Sequence, residues 1–149
     1  MSLQKDIMTA LKTAMKSKDQ VALTALRAVK SAILLAQTES GAKEDLSEEA
    51  ELKILQKQVK QRKDSANIYL EQGREDLAAP ELAEAEVISQ FLPEALGEDA
   101  IEQVVVSVIK NLDAQGMKDM GKVMGAVNKQ LAGQADGKTI SNIVKAKLS

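Results

Sequence analysis

The chain contains no cysteine, no histidine and no tryptophan, and its aromatic side chains are one tyrosine, Tyr69, and one phenylalanine, Phe91. Without cysteine there is no disulfide framework, no thiolate metal site and no cysteine nucleophile. Without histidine the commonest metal ligand and the commonest general base are missing too. A zinc site would have to be made of carboxylates alone, so no metal and no cofactor is expected. With so few rings, the core must come from Leu, Ile, Val, Ala and Met, which suit helix-on-helix packing better than sheets. The first residues, Met1-Ser2-Leu3-Gln4-Lys5-Asp6, show no apolar signal core behind a basic start. No segment of the sequence reads as the roughly 18 unbroken apolar residues of a membrane span. The expectation is a soluble, cytoplasmic protein with no membrane partner.

What is present is enough for one ordinary domain or two small ones: 149 residues, 44% of them hydrophobic. The formal net charge is −2 and the sequence pI about 5.3, which argues against a generic nucleic-acid coat and gives no reason to expect DNA binding. The charge is unevenly laid out, however. Lys53, Lys57, Lys60, Arg62 and Lys63 follow one another without an acid. From Asp64 to Glu102 acids dominate and Arg74 is the only base; from Lys118 onward only Asp119 and Asp136 oppose a series of lysines.

Apolar residues recur at helical spacing almost throughout, and no stretch alternates with period two. Leu3, Ile7, Leu11 and Ala14 form a first stripe. Asp19 is placed to cap a second helix carrying Ala22, Leu26, Val29, Ile33 and Ala36. Ser40 to Asp45 reads as an exposed loop. Ser47 then caps a third helix, with Glu48 and Glu49 in the first turn and Leu52, Leu55, Val59, Ala66 and Tyr69 along one side; Gly73 is its left-handed stop. Asp76 is expected to cap a fourth helix, with Pro80 in its first turn. The run Phe91 to Gly97 breaks that helix and serves as a joint. Beyond it, Ile101, Val104, Val105, Val108, Ile109 and Leu112 make the strongest stripe, ended by Gly116. Met120, Val123, Met124, Val127 and Leu131 make the next, and Ile140, Ile143, Val144 and Leu148 the last. Each stripe needs a partner to bury it. The reading is all-α: an N-terminal helical domain of about four helices over 1–91 and a small three-helix domain over 92–149.

Three features bear on function. The segment Gly133 to Thr139 invites a phosphate-loop reading but is one residue short of G-x-x-x-x-G-K-[ST] and follows a helix, not a strand; it reads as a turn between helices, with Gly133 the stop and Asp136 or Gly137 the cap. Arg62 interrupts the apolar stripe of the third helix. Its plainer reading is an ion pair with Glu75 or Asp76 after the turn; the functional one is a guanidinium facing a phosphate or carboxylate. Finally, at about 100° per residue Lys122 and Lys129 lie opposite the sixth helix's stripe, and Lys138 and Lys145 opposite the last. Aligned outer faces would join the four ammonium groups into one patch; unaligned, they are ordinary solvated surface. No aromatic platform accompanies them, so RNA would be held by its backbone and shape.

Three stretches together resemble the YqeY-like family: Leu26-Arg27-Ala28-Val29-Lys30-Ser31-Ala32-Ile33; Lys60-Gln61-Arg62-Lys63-Asp64-Ser65 on to Tyr69, Gly73 to Ala78 and Phe91-Leu92-Pro93; and Met120-Gly121-Lys122-Val123-Met124-Gly125 with Gly133 to Lys138 and Ile143-Val144-Lys145. They span nearly the whole chain. Phe91 stands where the family usually has Tyr, and Ala85 where it usually has a larger aliphatic residue. The resemblance implies an N-terminal helical domain followed by a three-helix tail. That module is similar to the tail of the B subunit of glutamine-dependent aspartyl/glutamyl-tRNA amidotransferase, where the tail helps hold misacylated tRNA.

The first expectation is therefore a tRNA-binding accessory module that positions RNA without chemistry of its own, through Lys122, Lys129, Lys138 and Lys145, with Lys60, Arg62 and Arg74 as further contacts. The alternative is a helical protein-interaction module using the acidic span from Asp64 to Glu102. A glutamine-dependent carbon–nitrogen ligase role is implied by the resemblance alone: no catalytic residue emerges, and an enzyme acting by itself is not expected.

Overall fold

The computed structural model describes residues 3–39 and 46–149. The loop expected at 40–45 lies outside the described residues. These hold seven α-helices, one short 3-10 turn and no strand, so the fold is all-α. The chain divides into two compact units, Met1–Leu92 and Pro93–Ser149, each with its own core.

In the first unit, α1 (Leu3–Ser17) and α2 (Gln20–Glu39) form a hairpin around Lys18, whose φ is positive, with Asp19 accepting a hydrogen bond from the Ala22 N–H at 3.1 Å. Ile7, Leu11 and Ala14 meet Ala22, Leu23, Leu26, Val29 and Ile33, close to the stripes expected. α2 is long and apolar enough, by length and composition, to cross a membrane, although the sequence offers no unbroken apolar run there. Arg27 and Lys30 break its apolar run, and its Leu26–Val29–Ile33 row is buried in the core of the unit. α3 (Glu48–Glu71) starts on Ser47, whose hydroxyl accepts from the Ala50 N–H at 3.1 Å, and ends before Gly73 in the left-handed conformation, which costs glycine no Cβ clash. Leu55 and Val59 join the core, and Tyr69 is half-buried.

α4 (Glu75–Ser89) returns along α3 and contributes Ala85 and Ile88. Its start differs from expectation. Arg74, not Asp76, is the capping position, and the Arg74 carbonyl accepts from the Leu77 and Ala78 N–H groups. Asp76 is engaged by the Arg74 guanidinium instead. With the helix beginning at Glu75, Pro80 falls inside it rather than in the first turn, at an exposed position. Both aromatic rings of the chain, Tyr69 and Phe91, belong to this unit.

In the second unit, α5 (Glu98–Leu112), α6 (Met120–Gln130) and α7 (Gly137–Leu148) each touch the other two. Ile101, Val105 and Val108 pack on Val123, Val127 and Leu131 and on Ile140, Val144 and Leu148. Leu112, expected in the α5 stripe, is exposed, because the helix ends there. The stop is Asp113 in the left-handed region rather than Gly116; Asp is tolerated there, and Gln115 Nε2 binds its carboxylate at 3.0 Å.

Candidate nucleic-acid interface

The three-helix core fixes which side chains of α6 and α7 face outward. Val123 and Val127 point α6 inward, which turns Lys122 and Lys129 to the opposite side; both are exposed. Ile140 and Val144 do the same for α7, and Lys138 and Lys145 are exposed. Each pair is seven residues apart, two turns of one helix, so each forms a row along its own helix. None of the four lysines takes part in an ion pair among the described residues. The contrast within α7 is informative. Lys147, on the flank nearer the core, reaches Glu102 of α5 at 2.5 Å, and it is this lysine that is tethered.

Asp136 caps α7 through a 3.4 Å hydrogen bond from the Lys138 N–H, and Gly133 takes the left-handed conformation after α6. The segment from Gly133 to Thr139 is thus a helix-to-helix turn and not a phosphate loop. It is strapped to the start of the unit by the Leu96 N–H, which donates to the Gln134 carbonyl at 3.0 Å, and by Gln134 Nε2, which donates to the Glu94 carbonyl. Lys138 sits in the first turn of α7, where the helix dipole disfavours a cation. Local stability does not explain its presence.

Sequence reasoning gives no role to Gly125. It lies three residues after Lys122 and four before Lys129, hence on their face of α6, and it is exposed. A Cβ added there, or at Gly121 one turn earlier, would meet nothing within 4 Å. The packing of the unit therefore does not require glycine at Gly125, although glycine inside a helix costs about 1 kcal/mol relative to alanine. The result is a strip of bare backbone between two ammonium groups. The signal was in the sequence, as two glycines at i and i+4 within an amphipathic helix.

The three basic residues expected as further contacts, all in the first unit, are held by acids. Lys60 Nζ lies 2.9 Å from Asp64 Oδ2 on the exposed side of α3. Arg74 makes two 3.0 Å hydrogen bonds to Asp76, and these hold the Asp76 carboxyl below its usual range. Arg62 is largely buried, with only 13% of its side chain exposed; Nη1 donates to Gln58 Oε1 at 2.7 Å and to the Gln58 carbonyl at 3.2 Å, and Nε stands 3.8 Å from Glu84 Oε2. That last distance is a charge contact, too long for a hydrogen bond. The partner is neither Glu75 nor Asp76, because α4 runs back beside α3: Arg62 and Glu84 are equidistant in sequence from Gly73 and so come level. Burial raises the Glu84 carboxyl above its ordinary range; Arg62 opposes this and Glu81 adds to it. No group of three or more acids able to hold a metal ion occurs among the described residues.

The fold and these residues define a small helical protein of two units, the second bearing two rows of exposed lysines. The model of the YqeY-like proteins matches residues 4–148, and the chain belongs to that family. Among its relatives, "Altered inheritance of mitochondria protein 41, mitochondrial" of Pyrenophora tritici-repentis is 33% identical over 144 residues, covering 92% of this chain and 78% of the relative. The protein of the same name from Clavispora lusitaniae is 32% identical over 121 residues, 81% of this chain and 69% of the relative. A shorter match, 33% over 73 residues, joins 46% of this chain to 12% of the E subunit of the glutamyl-tRNA(Gln) amidotransferase of Thermococcus gammatolerans.

Proposed function

We propose that the chain is a tRNA-binding accessory protein that holds RNA by its phosphate backbone on the outer faces of α6 and α7 and performs no chemistry on it. The observation that carries this reading is the freedom of Lys122, Lys129, Lys138 and Lys145: four exposed cations in two rows without an acid partner among the described residues, in a chain whose net charge is negative. Ammonium groups left unpaired at fixed spacing suit a regular array of phosphates. Gly125 supports the same reading, since a helix without a side chain between two lysines lets a sugar–phosphate backbone come close. The relation to one polypeptide of a glutamyl-tRNA(Gln) amidotransferase supports tRNA as the RNA and an amide-transfer enzyme as the setting. Lys60, Arg62 and Arg74 take the smaller part in this reading: Lys60 and Arg74 share their charge with Asp64 and Asp76 at the surface, and Arg62 is 13% exposed beside Glu84. A cytoplasmic location belongs to the same proposal and is read by cell fractionation, two relatives being named as mitochondrial.

The test is a titration of unmodified tRNA at several salt concentrations. Four phosphate contacts give a slope of about −3 in log affinity against log salt, and reversing all four lysines to Glu lowers low-salt affinity by about a hundredfold. Binding that ignores salt, or survives the four reversals, removes the proposal.

A further inference from the structure

The α1–α2 hairpin leaves a second surface that the RNA reading does not use. Between the helices is a recess of about 80 Å³ lined by Gln4, Ile7, Met8, Lys30, Ile33 and Leu34. Met8 and Leu34 stand 37% and 52% exposed at its mouth. One helical turn nearer the hairpin bend, Lys12 of α1 and Arg27 of α2 are exposed and make no ion pair among the described residues. The acids of the two helices, Asp6 and Glu39, fall on other sides of them by helical spacing. The groove is thus apolar at one point and basic one turn along, with methionine, an adaptable contact residue, at its edge.

A matching surface lies on α4 of the same unit. Glu75, Ala79, Leu82 and Glu86 follow at i, i+4, i+7 and i+11 and form one outward stripe, with Leu82 44% exposed. Neither Glu75 nor Glu86 is in an ion pair among the described residues. A leucine seated in the recess would bring an acid four residues along, about 6 Å away, level with Lys12 and Arg27. Leu82 and Glu86 have that spacing.

We propose that the first unit associates with a second copy of this chain, the Leu82–Glu86 stripe of one copy entering the α1–α2 groove of the other. Attraction between the basic groove and the acidic stripe orients the encounter, and Leu82 in the recess supplies the apolar anchor. Independence from the RNA reading is built in, since none of these residues belongs to α6 or α7.

Sedimentation velocity of the full chain tests it, across concentration and at low and high salt. The expected result is concentration-dependent association weakened by salt and reduced at least about tenfold by Lys12→Glu with Arg27→Glu, and likewise by Glu75→Lys with Glu86→Lys. All four side chains are exposed, and helical content by circular dichroism confirms that each variant is folded. Mixing the two variants restores association, because each now carries the complement of the other. A chain that stays monomeric at its highest soluble concentration overturns the proposal. So does association unchanged in both variants, which would place the contact elsewhere. Monomeric protein that binds vesicles of phosphatidylserine and phosphatidylcholine, and loses that binding when Lys12 and Arg27 are reversed, would also overturn it and assign the groove to an anionic membrane.

Discussion

Arg62 and Glu84 show how one residue's surroundings set the sign of its effect. Both are more than four-fifths buried at their side chains, and the pair is loosely joined at 3.8 Å. Removing one member of such a pair strands the other. Arg62→Ala is expected to cost about 3 kcal/mol at neutral pH, measured by urea denaturation. The cost should shrink on acidification. Glu84 holds its proton more tightly in the folded chain than in the unfolded one, so its ionisation penalises the folded state at pH above its raised titration, and the penalty fades as pH falls toward the ordinary carboxylate range. Without Arg62 the Glu84 titration should move higher still. Replacing both by aliphatic residues, Arg62→Met with Glu84→Leu, should leave stability within about 1 kcal/mol of the parent. The sequence disclosed that Arg62 broke an apolar stripe. It could not disclose the partner, because that depends on how α4 comes level with α3 after Gly73. The acid partners of Lys60 and Arg74 were hidden for the same kind of reason: spacing gives the face of a helix, while pairing depends on rotamers and on neighbours brought close by the fold.

At the scale of the element, α6 carries the sharpest test, because stability and binding are expected to move in opposite directions. Gly125→Ala adds a methyl group in open space and removes the backbone-entropy cost of glycine, so the unit should gain about 1 kcal/mol. The same methyl stands between Lys122 and Lys129 and should weaken tRNA binding several-fold in a salt titration. A substitution that stabilises without affecting binding would leave Gly125 outside the interface. Helix positions were largely legible from apolar periodicity, and the caps at Asp19 and Ser47 from their side chains. The start of α4 and the end of α5 were not. At the first, Asp76 had a stronger claim on it from Arg74 than from the backbone; at the second, Asp113 accepted a conformation normally left to glycine. The α1–α2 groove escaped notice because a stripe names the buried side of a helix and treats Met8, Lys12, Arg27 and Leu34 as undifferentiated surface.

For the molecule as a whole, the distribution of charge matters more than its sum. A net charge of −2 would discourage RNA if it were spread evenly. Instead four of the second unit's seven acids, Glu94, Glu98, Asp99 and Glu102, stand before and along the start of α5, and the other three, Asp113, Asp119 and Asp136, lie between the α-helices, while α6 and α7 carry lysines and no acid between their first and last residues. Charge reversal should therefore be position-dependent: Lys122→Glu with Lys129→Glu should reduce tRNA affinity about tenfold or more, whereas Lys53→Glu with Lys57→Glu, equal in charge and located on α3, should change it much less. Equal losses would mean that only the total charge is felt. The lysine rows themselves were legible before any coordinates. That none of the four is in an ion pair among the described residues was not, since sequence distance gives no hint that Glu102 of α5 captures Lys147.

The lone tyrosine gives the experimenter an asymmetric window. Tyr69 is the only side chain whose near-ultraviolet emission is readily followed, and the second unit has no aromatic ring. A denaturation curve read by fluorescence therefore watches Met1–Leu92 alone, while far-ultraviolet ellipticity weighs the helices of both units. Placing a tryptophan at Leu112, already open to solvent at the end of α5, would make Pro93–Ser149 visible in its own colour.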